Sequence, residues 1–137
     1  MTNKSKTNIV NYAINHIRQT GELGVCQKQR GKFVLICSQR ERFVVFSCFE
    51  QVEFHANIVD QFVSEHQLKG HYNKKGDEFY IDSEQWTVSG GGHWEWDLEA
   101  GELLLGGRSI AYGSLDLKKI ASEVQQSNVF GEIQVKY

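Results

Sequence analysis

The 137-residue sequence contains no proline and only three cysteines. Without proline there is no Pro-rich linker to divide the chain, and we expect no slow cis-prolyl step in folding. Cys26, Cys37 and Cys48 are odd in number and form no CxxC pair, which favours free thiols in a reducing cytoplasm over a disulfide framework. No run approaches the roughly 18 apolar residues of a membrane span, and the polar lead over residues 1–7 does not resemble a signal peptide. These absences predict a soluble, cytoplasmic protein.

The charge balance argues against one class of partner. Lysine and arginine number 15 against 17 aspartates and glutamates, which gives a net charge of −2, whereas nucleic-acid binding usually needs a clearly basic face. The hydrophobic fraction of 40% and charged fraction of 23% are those of an ordinary globular chain. The length fits one domain with one core. We therefore expect a single domain over residues 1–137, a monomer that binds neither nucleic acid nor a membrane.

Several well-known catalytic patterns are missing from the sequence. There is no GxxxxGK[ST] nucleotide-binding loop, no cysteine with an arginine six positions later and no Arg-His-Gly triplet. The last two absences argue against phosphatases with a cysteine or a histidine nucleophile. There is also no HExxH, and the five histidines lack the spacing of metal ligands. We therefore expect no metal and no cofactor.

Hydrophobic periodicity predicts a chain in which helices and strands are mixed. Helical spacing covers residues 7–19 and 55–68, and a third helix follows Ser114, a good N-cap. Strand patterns cover residues 24–29, 32–38, 42–49, 78–82, 85–89, 93–97, 102–112 and 132–136. Residues 69–77 are predicted to be loop, and the glycines at 90–92 to interrupt the strand pattern. Because hairpins dominate, the fold class is α/β in the α+β sense: a single mixed or mostly antiparallel sheet of about six strands with helices packed on its faces, plus an extra N-terminal helix.

Three short segments carry candidate chemistry: residues 53–58 (EFHANI), 90–93 (GGGH) and 107–113 (GRSIAYG). His55 lies where a helix begins, so free N–H groups and the positive dipole end favour an anion and a neutral, basic imidazole. We expect its side chain to be partly exposed. The alternative is that His55 only caps the helix. Ser109 offers a hydroxyl, although the neighbouring glycines are equally consistent with a simple bend in a strand.

Together these segments resemble the Janus/Ocnus phosphohistidine phosphatase family. That family carries a YHADIYD-like segment, a GGG tract and an S-[MI]-A-Y-G segment in this order, matched here by residues 54–60, 90–92 and 109–113. The KFVLI run at residues 32–36 is similar to the first strand of the family. The resemblance covers about residues 32–136. Residues 1–22, as an N-terminal helical extension, and residues 68–84 look like additions.

The resemblance implies a metal-free phosphohistidine (phosphoramidate) phosphatase that acts on a phosphorylated protein. It implies that His55 is the general base that activates water, with no covalent enzyme intermediate. It further implies phosphate contacts from a lysine, a helix-start amide and a serine loop, here Lys32, Ala56, Ser109 and Ala111. Oriented amides and one lysine suffice for this role, because phosphoryl transfer depends mainly on positioning and charge stabilisation.

The sequence departs from the family at two positions where the family has arginine. His93 follows the GGG tract, and Ser47 ends the second strand, so two guanidiniums able to bind phosphate bidentately are missing. His93 is predicted to replace one of them as a hydrogen-bond donor to the substrate. Arg108, next to Ser109, is a candidate to restore the charge, but strand alternation predicts that it points to the opposite face from Ser109. The alternative function is a non-catalytic or weakly catalytic module that binds phosphate or phosphoproteins on the same scaffold.

Overall fold

A computed structural model describes residues 6–12, 28–48, 53–97 and 99–137. In these ranges the chain forms eight strands and two helices. In chain order they are β1 (Lys6–Asn11), β2 (Lys28–Cys37), β3 (Glu41–Cys48), α1 (His55–Glu65), β4 (Gly70–Tyr72), β5 (Phe79–Ile81), β6 (Thr87–Asp97), β7 (Glu102–Gly106), α2 (Leu117–Ser127) and β8 (Gln134–Lys136).

Six of the strands form one mixed sheet in the order β1-β3-β2-β6-β7-β8. The two outer pairs, β1 with β3 and β7 with β8, are parallel, and the pairs between them are antiparallel. β4 and β5 form a separate two-stranded hairpin. The predicted α+β fold, with one mixed sheet of about six strands and helices packed on it, is confirmed.

The sheet is buried on both faces, which explains the continuous apolar run in β2. Phe33 and Leu35 belong to one core, which includes Ile120 and Val124 of α2. The alternate residues of the same strand, among them Val34, belong to a second core that contains the apolar side of α1. Each face therefore has its own helix, and the candidate site lies on the α1 face.

The predicted helix at residues 7–19 is wrong for its first part, because Lys6–Asn11 is a strand. β1 pairs in parallel with β3, with Ile9 opposite Val44. Ile9 packs against the core on the α2 side, whereas Val10 packs against the core on the α1 side. Adjacent apolar residues that serve two cores mimic helical spacing in the sequence. Residues 6–11 therefore belong to the sheet. Three other predicted parts lie outside the described residues: residues 13–19 of the helix, the rest of the extension to residue 22, and most of the strand at 24–29.

The strand containing the glycine tract is continuous, contrary to the predicted interruption. β6 runs from Thr87 to Asp97, and Gly91 and Gly92 pair with Val34 and Phe33 of β2. A Cβ at Gly92 would lie 2.7 Å from Gly106 O and 2.7 Å from the Phe33 ring. The glycines are therefore required by close packing, and pairing to β2 offsets their weak strand propensity.

Two other predicted boundaries of strands and loops are wrong, and both lie next to glycines. The strand predicted over residues 102–112 ends at Gly106, because Gly107 turns the chain with a φ of +66°. The loop predicted over residues 69–77 contains the short strand Gly70–Tyr72. The helix expected after Ser114 starts at Leu117, with Asp116 as N-cap. Among the residues described, no helix is both long enough and apolar enough to span a membrane.

Candidate functional site

The site begins as a row of side chains across the sheet. Lys32 of β2 pairs with Ser47 of β3 on one side and with His93 of β6 on the other. Directly paired residues point to the same face of a sheet, and this row lies two residues from Val34, which faces α1. The first turn of α1, with His55, therefore lies on the face that carries Lys32 and His93.

A cleft of about 520 Å³ opens at this place. Five of the six predicted site residues line it together, although they are far apart in sequence. They are Lys32, His55, His93, Ser109 and Ala111. The sixth, Ala56, does not line the cleft: its methyl group is buried in the core on the α1 side. As the second residue of α1, Ala56 has one of the N–H groups that find no partner within a helix, so only its backbone remains a candidate for contact with an anion.

His55 is buried rather than partly exposed as expected, with 6% of its surface accessible. Its Nε2 lies 2.8 Å from the Gly92 carbonyl oxygen. A carbonyl oxygen only accepts hydrogen bonds, so Nε2 carries the proton and Nδ1 carries the lone pair. Burial, together with the nearby His93 and Lys32, lowers the pKa of His55 to about 4, against the opposing effect of the bond to Gly92. The side chain is therefore a neutral imidazole with one basic nitrogen.

Two basic groups near His55, Lys32 and His93, both have lowered pKa values. The Lys32 ammonium donates to the Glu53 carbonyl at 2.9 Å, and burial lowers its pKa although the Glu53 charge raises it. Burial and the Lys32 charge lower the pKa of His93 below its ordinary value of 6.5. His93 is therefore mostly neutral at pH 7, and it offers the cleft a hydrogen-bonding group but not a permanent charge.

The loop at residues 107–113 is fixed to the glycine tract. Ser109 and Gly113 exchange two backbone hydrogen bonds, with N···O distances of 3.1 and 2.8 Å, and the Gly91 amide donates to the Gly113 carbonyl at 3.1 Å. The Ser109 hydroxyl accepts from the Tyr112 amide at 3.1 Å. A hydroxyl that accepts one bond still has its own proton to donate. The loop thus presents Ser109 in a defined orientation.

Gly91 brings His55 and Ser109 together. A Cβ at Gly91 would lie 2.7 Å from Cδ2 of His55 and 3.1 Å from Cβ of Ser109. The two side chains therefore lie on the same face of the sheet, close to each other above Gly91, where no side chain stands between them. A side chain at this position would separate them, which gives the glycine tract a direct part in building the site.

Arg108 lines the same cleft as Ser109, so the prediction that it points to the opposite face is wrong. The prediction assumed a continuous strand, in which neighbouring side chains alternate. The chain instead leaves the sheet at Gly106, and the left-handed conformation of Gly107 ends the alternation. Arg108 therefore adds a second permanent cation to the cleft.

Five further residues, none of them predicted as a site residue, line the cleft; one is Glu53, which lies beside Lys32. Phe54 and Ile110 are exposed apolar side chains, and Ile110 is 97% accessible. Asp77 and Glu78 belong to the segment treated as an addition to the family pattern. No local signal in the sequence connects them with His55, because the β4–β5 hairpin brings them there through tertiary packing.

No protein-family model and no curated protein sequence matches this chain. Within the described ranges, no three His, Cys, Asp or Glu side chains are grouped so as to hold a metal ion. The arrangement is one neutral base, two cations, three carboxylates, a hydroxyl and a helix start around one cleft. These groups can bind a phosphate-sized anion and remove a proton beside it.

Proposed function

We propose that this protein is a metal-free phosphohistidine (phosphoramidate) phosphatase that uses His55 as a general base. The observation that carries the proposal is the single tautomer of the buried His55, with Nε2 bonded to Gly92 and Nδ1 left as the base. It lies beside Lys32 and Ser109 in one cleft. Among the described residues, Nδ1 of His55 has no hydrogen-bond partner. The odd number of cysteines, with no CxxC pair, favours a cytoplasmic location for this activity.

In the proposed reaction, the phosphoryl group of the substrate binds between Lys32, the Ser109 hydroxyl and the first amides of α1. Nδ1 of His55 takes a proton from a water molecule, and the water oxygen forms a bond to phosphorus. The P–N bond breaks on the opposite side, and its electron pair remains on the leaving nitrogen, which takes a proton from solvent. The His55 imidazolium then loses its proton to solvent. Because the P–N bond is labile, positioning and charge stabilisation are the main requirements.

The test is release of phosphate from phosphoramidate and from a phosphohistidine peptide, with a chelator present. His55→Gln is preferred to His55→Ala, because glutamine fills more of the buried space and can still donate to Gly92. We expect His55→Gln to lower kcat roughly 100- to 10,000-fold, the usual contribution of a general base. Lys32→Ala should raise KM more than it lowers kcat if the ammonium mainly holds the bound phosphoryl group.

His71→Gln is the matched control, since His71 is an exposed histidine outside the cleft. It should keep wild-type kinetics. Wild-type kcat in a folded His55→Gln variant would disprove the general-base assignment. Saturable binding of the phosphopeptide by the wild-type protein without any turnover would instead favour the binding module.

A further inference from the structure

The β4–β5 hairpin places two carboxylates at the cleft, and its loop is firmly held. The Asn73 side-chain oxygen accepts from the amides of Asp77 and Glu78 at 3.1 and 3.2 Å. Its side-chain nitrogen donates to Asp77 Oδ1 at 2.7 Å. The Asn73 amide also donates to the Glu78 carbonyl at 2.9 Å. The backbone that carries Asp77 and Glu78 is therefore fixed by one asparagine.

A second set of contacts fixes the hairpin to the cleft itself. The Tyr112 hydroxyl accepts from the Phe79 amide at 2.7 Å and donates to the Phe79 carbonyl at 2.7 Å. Phe79 is buried in the core on the α1 side and packs edge-on against Tyr72. Since Tyr112 lies three residues after Ser109, the loop that presents Ser109 also holds the acidic segment. The carboxylates and the predicted phosphate site therefore form one unit.

The cleft is lined by charges of both signs. Lys32 and Arg108 supply the cations, Glu53 lies beside Lys32, and Asp77 and Glu78 of the hairpin supply an acidic wall. Both acids are partly buried, and neither forms a salt bridge with any residue that the structure describes. A bare phosphate dianion gains nothing from such a wall. A ligand that carries a cation next to its phosphoryl group would be attracted by both kinds of charge at once.

We propose that the acidic wall formed by Asp77 and Glu78 selects phosphorylated polypeptide segments with a lysine or arginine next to the phosphorylated residue. This inference rests on the proposed function, because it takes the phosphoryl group to occupy the side of Lys32, His55 and Ser109. His55, whose side chain is buried and bonded to Gly92, lines the same cleft as the two acids. The hairpin thus determines which phosphorylated residue is recognised, while the rest of the cleft binds the phosphoryl group.

Binding is the appropriate readout, because it does not depend on turnover. Two peptides carry the same stable phosphonate analogue of phosphohistidine, one flanked by lysines and one by alanines. Their Kd values are measured by calorimetry for the wild-type protein and for the double variant Asp77→Asn with Glu78→Gln. The control variant, Glu99→Gln with Glu132→Gln, removes the same charge at two exposed positions that do not line the cleft.

We expect the wild-type protein and the control to prefer the lysine-flanked peptide by roughly five- to tenfold, the range for two partly exposed ion pairs. The double variant should lose most of this preference, and it should bind the alanine-flanked peptide at least as well as the wild type does. No preference in the wild type, or one that survives in the double variant, would overturn the inference. Hydrolysis of phosphoramidate, measured separately, tests the proposed function, so the two failures are distinguishable.

Discussion

At the scale of the residue, His55 combines two properties that an exposed histidine lacks. Burial disfavours its charged form, and the bond to Gly92 O selects which nitrogen is basic. The folded-state pKa of about 4 lies below the ordinary value of 6.5. Between these two pH values the unfolded chain binds a proton that the folded chain does not. His55 therefore lowers the stability of the fold as pH falls through this window, and has no such effect above it.

The titration of His55 can be measured directly by long-range 1H–15N NMR. We expect the neutral Nε2–H tautomer, with a midpoint near pH 4. Inorganic phosphate should raise this midpoint, because a bound anion favours the imidazolium form. His71, which is exposed and lies outside the cleft, serves as the internal reference, because its resonances should not change when phosphate is added. A proton on Nδ1, or a midpoint for His55 that phosphate leaves unchanged, would contradict the anion site.

At the scale of the element, β8 is a three-residue edge strand whose outer hydrogen-bonding groups are covered by a glutamine side chain. The Gln125 side chain of α2 donates to the Ile133 carbonyl at 2.7 Å and accepts from the Val135 amide at 2.8 Å. The Val135 amide of β8 and the carbonyl of Ile133, the residue before β8, point away from β7. One glutamine thus occupies the hydrogen-bonding edge that another strand would otherwise take. Covering an edge in this way protects a sheet from pairing with other chains.

We expect Gln125→Ala to cost about 1 kcal/mol, the usual net contribution of a hydrogen bond to stability. Urea unfolding measures this loss, and hydrogen exchange of the Val135 amide shows whether the cap has opened. Gln126→Ala is the control, because it makes the same change in helix propensity at a neighbouring exposed position. Equal stability of the two variants, with unaltered exchange at Val135, would show that Gln125 does not hold β8.

Hydrophobic periodicity could predict those helices and strands whose apolar residues all face a single core. The helix that begins at His55 has its apolar residues on one side, and the structure confirms it with an end at Glu65 instead of residue 68. The prediction failed at β1, where Ile9 and Val10 face different cores. It failed again at Gly91, where close packing requires a glycine inside a strand. In both cases the deciding contact is with a residue distant in sequence, which no local pattern contains.

The residues of the candidate site could likewise be predicted only in part. Of the six predicted site residues, Lys32, His55, His93, Ser109 and Ala111 line one cleft, whereas Ala56 does not. Arg108 was assigned to the wrong face, because the turn at Gly107 ends the strand before it. Asp77 and Glu78 could not be predicted, because the bonds from Tyr112 to Phe79 that bring them there join segments 33 residues apart.

At the scale of the whole molecule, the site exists only when three distant parts of the chain have assembled. β2 supplies Lys32, α1 supplies His55, and the loop after β7 supplies Ser109. All three meet around β6, which contributes the Gly92 carbonyl to His55 and the Gly91 amide to the loop. An anion that binds this site binds the native state and not the unfolded chain. Phosphate should therefore stabilise the fold, by about 2.7 kcal/mol at a hundredfold excess over Kd.

Gly91→Ala tests this coupling between fold and site. The new Cβ would lie 2.7 Å from the Phe33 carbonyl oxygen, which is backbone and cannot move aside easily, and 2.7 Å from Cδ2 of His55. We expect a loss of roughly 1–3 kcal/mol, as for other overpacked interiors, and a loss of the phosphate-dependent rise in Tm. Gly106→Ala is the matched control in β7, since a Cβ there meets no atom within 4 Å. Each variant is compared with its own Tm without phosphate, so that lower stability is not mistaken for weaker binding. A full phosphate response in Gly91→Ala would mean that His55 and Ser109 do not need to meet over Gly91 for an anion to bind.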